Sequence, residues 1–192
     1  MPGPFHCIQI DPPWEYKRRT IRGAAENHYE TMTIDEIAAL PVHRLAALDC
    51  HLWLWVTNVI LKNGWHLEPL EQWGFTPKTI LTWCKVTDRG TPKIGTGWYL
   101  RNATEHVIFA TKGQGTALVL DKSLPTFFTA PRSIHSRKPT EAYDIMERLS
   151  LGPRAELFAR VRRKGWVPWG PHAISQGRRL TLRDGKWGLL HE

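Results

Sequence analysis

A chain of 192 residues and 22.1 kDa, 42% hydrophobic and 23% charged, can bury one sizeable core but not two independent ones, so it reads as one globular domain. No run of about 18 apolar residues occurs, and the N-terminus lacks a basic stretch followed by an apolar one; neither a membrane-spanning helix nor a secretion signal is expected, and a cytoplasmic protein is. A net charge of +8 and a pI near 9.7 favour a polyanionic partner, the excess lying in the last third, where Arg132 to Glu192 carries 13 Lys or Arg against 6 Asp or Glu.

Phe5 to Ile10 reads as a short buried strand that delivers Asp11 to its carboxyl end and stops at Pro12-Pro13, because consecutive prolines cannot continue a ladder. Residues 15–32 have no period and read as a loop, with Lys17, Arg18, Arg19 and Arg22 clustered in it. Thr33-Ile34-Asp35-Glu36 is a capping box that opens a helix running to about Leu40. His51 to Val56 is apolar throughout, as strands covered on both faces are. One helix is predicted over residues 58–73, interrupted in pattern by Gly64 and Pro69 and stopped by Gly74.

Strands follow at Thr79 to Lys85 and His106 to Ala110, separated by a Gly-rich stretch from Thr87 to Asn102 of a length that is usually functional in a compact domain. Pro139 opens a helix with Ala142, Ile145, Met146 and Leu149 on one face, closed by Gly152, and Glu156 to Arg160 reads as a strand directly after it. Strands alternating with helices predict an α/β fold, a mostly parallel sheet with helices on both faces. Its ligand crevice would lie at the carboxyl ends of the strands, where Asp11 and Arg160 both fall. Arg179 to Leu189 alternates apolar and polar residues around Asp184-Gly185, a hairpin signal, so residues 178–192 are expected as a C-terminal β-hairpin extension of a domain spanning 1–177. Cys7, Cys50 and Cys84 stand far apart and the nine His are scattered, so neither a disulfide framework nor a metal site is predicted.

Asp11-Pro12-Pro13-Trp14 is the most informative stretch. An exocyclic amine on an aromatic ring has its lone pair delocalised, so to attack an electrophile it needs acceptors that fix its hydrogens and favour pyramidal geometry. Asp11 can accept one hydrogen and the Pro12 carbonyl the other, the prolines hold that carbonyl rigidly, and Trp14 offers a flat face for a base. The same four residues also read as a plain turn followed by a core tryptophan.

With the motifs around it, the chain resembles the MT-A70 family of S-adenosylmethionine-dependent adenine N6-methyltransferases. The resemblance runs from about Cys7 to Gly170 and rests on Asp11-Pro12-Pro13-Trp14, Tyr29-Glu30-Thr31-Met32, Leu54-Trp55-Val56-Thr57, Trp73-Gly74-Phe75, Trp83-Cys84-Lys85, Glu105-His106, His135-Ser136-Arg137-Lys138-Pro139, Glu156-Leu157-Phe158-Ala159-Arg160 and Gly165-Trp166-Val167-Pro168-Trp169-Gly170, in that order. It implies a Rossmann-like class I methyltransferase fold and S-adenosylmethionine as cofactor. It also implies catalytic roles for Asp11, Pro12, Pro13 and Trp14, and a cofactor site at Ile10, Asp11, Lys138, Glu156, Leu157, Phe158, Arg160 and His172, with Lys138 beside the methionine carboxylate. Around the adenine pocket it implies Tyr29, Trp83, Lys85 and Glu105. Lys17, Arg18, Arg19, Arg22 and Arg101, with Arg89 and Lys93, are then expected to hold phosphates of a polymeric substrate while its base is flipped out. DNA is expected over RNA, because the short chain is more similar to the prokaryotic and phage DNA enzymes, and pairing among relatives implies a homodimer.

Gly170-Pro171-His172 stands where many members carry Gly-Asn-Glu or Gly-Asn-Gln, so His172 would have to replace an amide. Two other readings stay open on the residues: RNA as the substrate, and a catalytically silent nucleic-acid-binding subunit of a methyltransferase complex. Cytosine N4 enzymes usually carry Ser in place of Asp11.

Overall fold

The computed structural model describes residues 4–15, 31–97, 99–132, 137–170 and 179–190. Strand β1 (Phe5–Ile10) is an interior strand of a seven-stranded sheet. Helix α1 (Ile34–Ala38) follows, opened by the predicted capping box: the Glu36 N–H donates to Thr33 Oγ1 at 3.2 Å, and the Thr33 N–H to Glu36 Oε2 at 2.8 Å. It leads into β2 (Ala46–Val56), which starts five residues before the predicted strand and pairs with β1 in parallel.

The helix predicted over residues 58–73 is two helices, α2 (Asn58–Asn63) and α3 (Leu67–Gln72). Gly64 adopts φ 69° and caps α2 in the left-handed conformation, while Pro69 lies within the first turn of α3, where its missing N–H breaks no helical bond. Gly74, at φ 75°, ends the segment as predicted. Strands β3 (Thr76–Val86) and β4 (Thr104–Lys112) extend beyond the predicted ranges at both ends. Strand β5 (Phe127–Pro131) had no sequence prediction; its Phe-Phe-Thr-Ala-Pro is too short to show a period. Helix α4 (Thr140–Leu149) has Pro139 as N-cap and buries Ala142, Tyr143 and Met146. Strand β6 (Arg154–Leu157) begins two residues before the predicted strand does and ends three residues before it does, because Phe158 turns to φ 63° and leaves Arg160 in the following loop. Strand β7 (Trp166–Trp169) was also missed: its Pro168 breaks the strand pattern, which an edge position tolerates.

The sheet order is β5-β3-β4-β2-β1-β6-β7. Its pairings are parallel except those of β4, which is antiparallel to β2 and β3. The connection from β3 to β4 contains no crossover helix, and a reversed strand is the pairing that such a connection permits. Alternate side chains build a core on each face. Ile8, Ile10, Leu52 and Leu54 pack with α1, α2 and α3, and Cys7, Trp53, Trp55 and Trp83 pack with α4. This is the predicted α/β, Rossmann-like sheet with helices on both faces. The hairpin β8 (Arg179–Arg183) and β9 (Lys186–Leu190) turns through Asp184 at φ 49° and Gly185 at φ 67°, the positive pair that an Asp-Gly hairpin requires. It is less of an appendage than the sequence implied, since Leu180 and Trp187 join the first of the two cores. Because β2 lies on one side of β1 and β6 on the other, the chain leaves β1 in opposite directions, and a crevice opens at the carboxyl end of β1. No helix among the described residues is long and apolar enough to cross a membrane.

Candidate active site

A cavity of about 560 Å³ fills this crevice. Asp11, Pro12, Pro13 and Trp14 enter it from the end of β1, Trp55 and Thr57 from the end of β2, and Trp83 and Lys85 from β3. Glu105 of β4, Lys138 and Arg160 complete its charged wall, and Lys93 to Thr96 with Asn102 form one lip. The tetrapeptide is held on both sides. The Asp11 N–H donates to the Leu157 carbonyl at 3.4 Å, and the Met32 N–H to the Pro13 carbonyl at 2.8 Å. The Pro12 carbonyl already accepts the Trp14 N–H at 2.9 Å, which leaves one lone pair for a ligand. Trp14 donates its indole N–H to the Trp55 carbonyl at 3.0 Å and is 5% exposed, a wall of the cavity rather than an open platform.

The charged wall is one network. Lys138 Nζ lies 3.0 Å from Asp11 Oδ1, hydrogen-bonds Glu105 Oε1, and stands 4.5 Å from the Trp55 ring centre. Lys85 Nζ is 3.0 Å from Glu105 Oε2, and Arg160 Nε is 4.0 Å from Asp11 Oδ2. Burial pushes the Asp11 carboxyl above the ordinary Asp range; Lys138 opposes this and the Glu105 charge adds to it. Burial acts on Glu105 in the same direction, but Lys138 and Lys85 overcome it and hold that carboxyl below its ordinary value. Burial would lower Lys138, and Asp11 and Glu105 together raise it, so it stays an ammonium.

A second cavity of about 380 Å³ adjoins the first and shares Arg137 and Lys138 with it. It lies against the N-terminal turn of α4 and is lined also by Tyr143, Arg162, Arg163 and Lys164. Arg163 is taken up by Glu147 and Asp144, each at 2.7 Å. Arg162 buries Nε and one terminal nitrogen with no partner among the described residues. On β6, Glu156 Oε1 accepts from Tyr143 at 2.7 Å and Gln9 at 3.1 Å, while Glu156 Oε2 and Gln9 Oε1 are buried without a partner among the described residues. Burial, with the Asp11 charge adding, pushes the Glu156 carboxyl up to about 7.

Residues 5–172 match the model of the MT-A70 family. The chain belongs to that family. It is 28% identical to the type II methyltransferase M.MunI of a Mycoplasma species, over 86% of this chain and 76% of the relative. It is 28% identical to the Mus musculus N(6)-adenine-specific methyltransferase METTL4, over 88% of this chain and 38% of the relative. It is 33% identical to the Drosophila melanogaster N(6)-adenosine-methyltransferase MT-A70-like protein, over 88% of this chain and 27% of the relative. The chain thus spans well under half the length of the last two.

In this MT-A70 chain, Asp11, Pro12, Pro13, Trp14, Trp83, Lys85, Glu105, Lys138 and Arg160 line the main cavity together. Ile10 and Leu157 turn their side chains into the core, so only their backbone can meet a ligand. Glu156 and Phe158 stand behind the cavity wall, Phe158 edge-on to Trp169 at 5.0 Å. Arg101 is exposed, with Nε on the Gly95 carbonyl at 2.8 Å. Lys17, Arg18, Arg19, Arg22, Tyr29 and His172 lie outside the described residues. Several residues of the site had no assignment from sequence, among them Trp55, Tyr143 and Arg162. Trp55 belongs to a quoted motif, yet its apolar strand disguised a cavity-lining indole whose N–H is buried and has no partner among the described residues. Tyr143 lies three positions before Met146 on the buried face of α4, a spacing that could have found it. Arg162 sits in an Arg-Arg-Lys run that reads as solvated surface.

Proposed function

We propose that this MT-A70 chain transfers a methyl group from S-adenosylmethionine to N6 of adenine in nucleic acid, DNA in preference to RNA, and that it works as a homodimer. The observation that carries the reading is Asp11: a carboxylate at the carboxyl end of β1, followed by a rigid prolyl carbonyl, on the wall of a cavity lined by indoles. The cofactor supplies a methyl group on a positively charged sulfur. The residues present fit it. The unpartnered guanidinium nitrogens of Arg162, with Lys138 on the same second cavity, suit a carboxylate.

Asp11 and the Pro12 carbonyl would accept the two amine hydrogens of adenine, directing the nitrogen lone pair at the methyl carbon for in-line displacement. The proton is lost after the carbon–nitrogen bond forms, so Asp11 has to orient rather than to act as a strong base. Lys138 keeps Asp11 and Glu105 from repelling each other across the cavity. Trp83 and Trp55 exclude water from the reacting atoms. DNA over RNA is supported by likeness to a type II methyltransferase and to an N(6)-adenine-specific methyltransferase.

The deciding experiment is tritiated methyl transfer to matched adenine-containing DNA and RNA, single- and double-stranded, followed by nucleoside mass spectrometry. N6-methyladenine in DNA, abolished by Asp11→Ala, is the expected result. Transfer to RNA alone would reverse the polymer preference, and no transfer with no donor binding would leave a silent subunit. Sedimentation velocity tests the dimer.

A further inference from the structure

The turn between β3 and β4 carries a feature that methyl transfer itself does not use. Its two limbs are cross-braced: Arg101 Nε donates to the Gly95 carbonyl at 2.8 Å, and the Gly95 N–H donates to the Asn102 carbonyl at 2.7 Å. At Gly97 a β-carbon would fall 1.9 Å from the Leu100 carbonyl oxygen, so the turn closes as tightly as glycine alone permits. This braced turn holds apolar side chains out into water. Tyr99 is fully exposed, Leu100 is 85% exposed, and Ile94 at the foot of the turn is 60% exposed and lines the main cavity. Tyr99 is three residues from both Thr96 and Asn102, which also line the cavity, so its backbone lies within about 11 Å of each.

We propose that Tyr99 is a stacking platform for a nucleotide that flanks the target base on a single-stranded polynucleotide. The inference rests on nucleic acid being the substrate, as proposed above. A flat ring fully exposed to water, on the turn whose limbs form one lip of the cavity, suits the one surface every nucleotide shares, the π-face of its base. The cations beside it match the alternation of base and phosphate along a strand: Lys93 on the cavity lip and Arg101 on the opposite limb of the turn. A second copy of this chain paired about a two-fold axis at this turn fits less well, since it would set Lys93 and Arg101 against their own counterparts.

The test is fluorescence anisotropy of a labelled single-stranded adenine-containing DNA oligonucleotide, titrated at several salt concentrations with wild type, Tyr99→Ala and Tyr99→Phe. The expected result is a loss of affinity in Tyr99→Ala of roughly five- to one-hundredfold, with Tyr99→Phe close to wild type. The slope of log affinity against log salt should not change, because no phosphate contact is removed. Donor affinity should also be unchanged. Equal affinity in wild type and Tyr99→Ala overturns the proposal, as does a salt slope that falls with the affinity. A dimer that dissociates in Tyr99→Ala while strand affinity holds would make the turn a protein interface instead. If wild type methylates the oligonucleotide and Tyr99→Ala matches it in affinity, only this inference falls; if wild type neither binds nor methylates nucleic acid, the proposed function falls with it.

Discussion

Asp11 and Glu105 share one ammonium, and that sharing fixes how the site responds to pH. The Glu105 charge is one of the causes that raise the Asp11 carboxyl, second among the raising causes to burial. Replacing it as Glu105→Gln leaves Lys138 to Asp11 alone, so the Asp11 carboxyl falls. The acid limb of the kcat/KM profile for methyl transfer should then move to lower pH, whereas Asp11→Ala removes transfer at every pH; a limb that stays in place would separate Asp11 from the rate. Glu156 makes a prediction of the opposite kind, about stability. Its carboxyl is raised from 4.5 to about 7 by burial, so the folded state binds its proton more tightly than the unfolded chain does. Stability therefore declines as pH rises from about 4.5 to about 7, and the full loss, on the order of 3 kcal/mol, is in place above that window. Glu156→Gln keeps an acceptor for Tyr143 and Gln9 and carries no charge. Denaturant titration should show it more stable than wild type at pH 8 and equal to it at pH 4; equal gains at both would rule out the charge as the cause.

At the scale of elements, legibility followed whether a local signal competed with tertiary packing. The Thr33–Glu36 box and the Asp184–Gly185 turn act within four residues, and both formed as read. The site tetrapeptide was legible because its chemistry is consecutive, while Arg162 became meaningful only when the fold set it against the N-terminal turn of α4. The boundary at Leu157 was not legible, because what ends β6 is the left-handed turn at Phe158, which no local residue type announces. Two glycines separate local from tertiary constraint. At Gly64 a β-carbon would meet only Leu67 Cδ1 at an ordinary 3.5 Å, so Gly64→Ala costs about 1 kcal/mol through its left-handed φ. At Gly170 the same atom would lie 2.7 Å from both the amide nitrogen and the carbonyl oxygen of Ala159, backbone that cannot rotate away. Gly170→Ala should cost about 3 kcal/mol and, by shifting the segment that carries Arg160, weaken donor binding as well. Isothermal titration with a donor analogue, beside chemical denaturation, tests both halves; Gly64→Ala is the control that should leave donor affinity unchanged.

For the molecule as a whole, the question is whether the C-terminal hairpin is an accessory or part of what keeps the sheet folded. A two-stranded hairpin is marginal by itself in water, so its register has to be fixed by what it packs against. Here Trp187 is 8% exposed, sits edge-on to Trp169 of β7 at 5.3 Å, and donates its indole N–H to the Pro41 carbonyl at 2.8 Å. Arg44 reaches the Gly185 carbonyl at the hairpin turn at 3.2 Å, so the segment following α1 and the end of the chain hold each other. Leu180 is 2% exposed in the same core as Ile8 and Ile10, the residues whose packing seats β1 and hence Asp11. Truncation as Trp187→Ala should therefore cost about 3 to 5 kcal/mol, a Tm lowered by roughly 6 to 20 °C for a chain of this size. The loss should appear as one cooperative transition shifted whole, with near-ultraviolet and far-ultraviolet circular dichroism moving together. A hairpin that melted first, leaving the main transition where it was, would show that residues 179–190 lean on the core without supporting it.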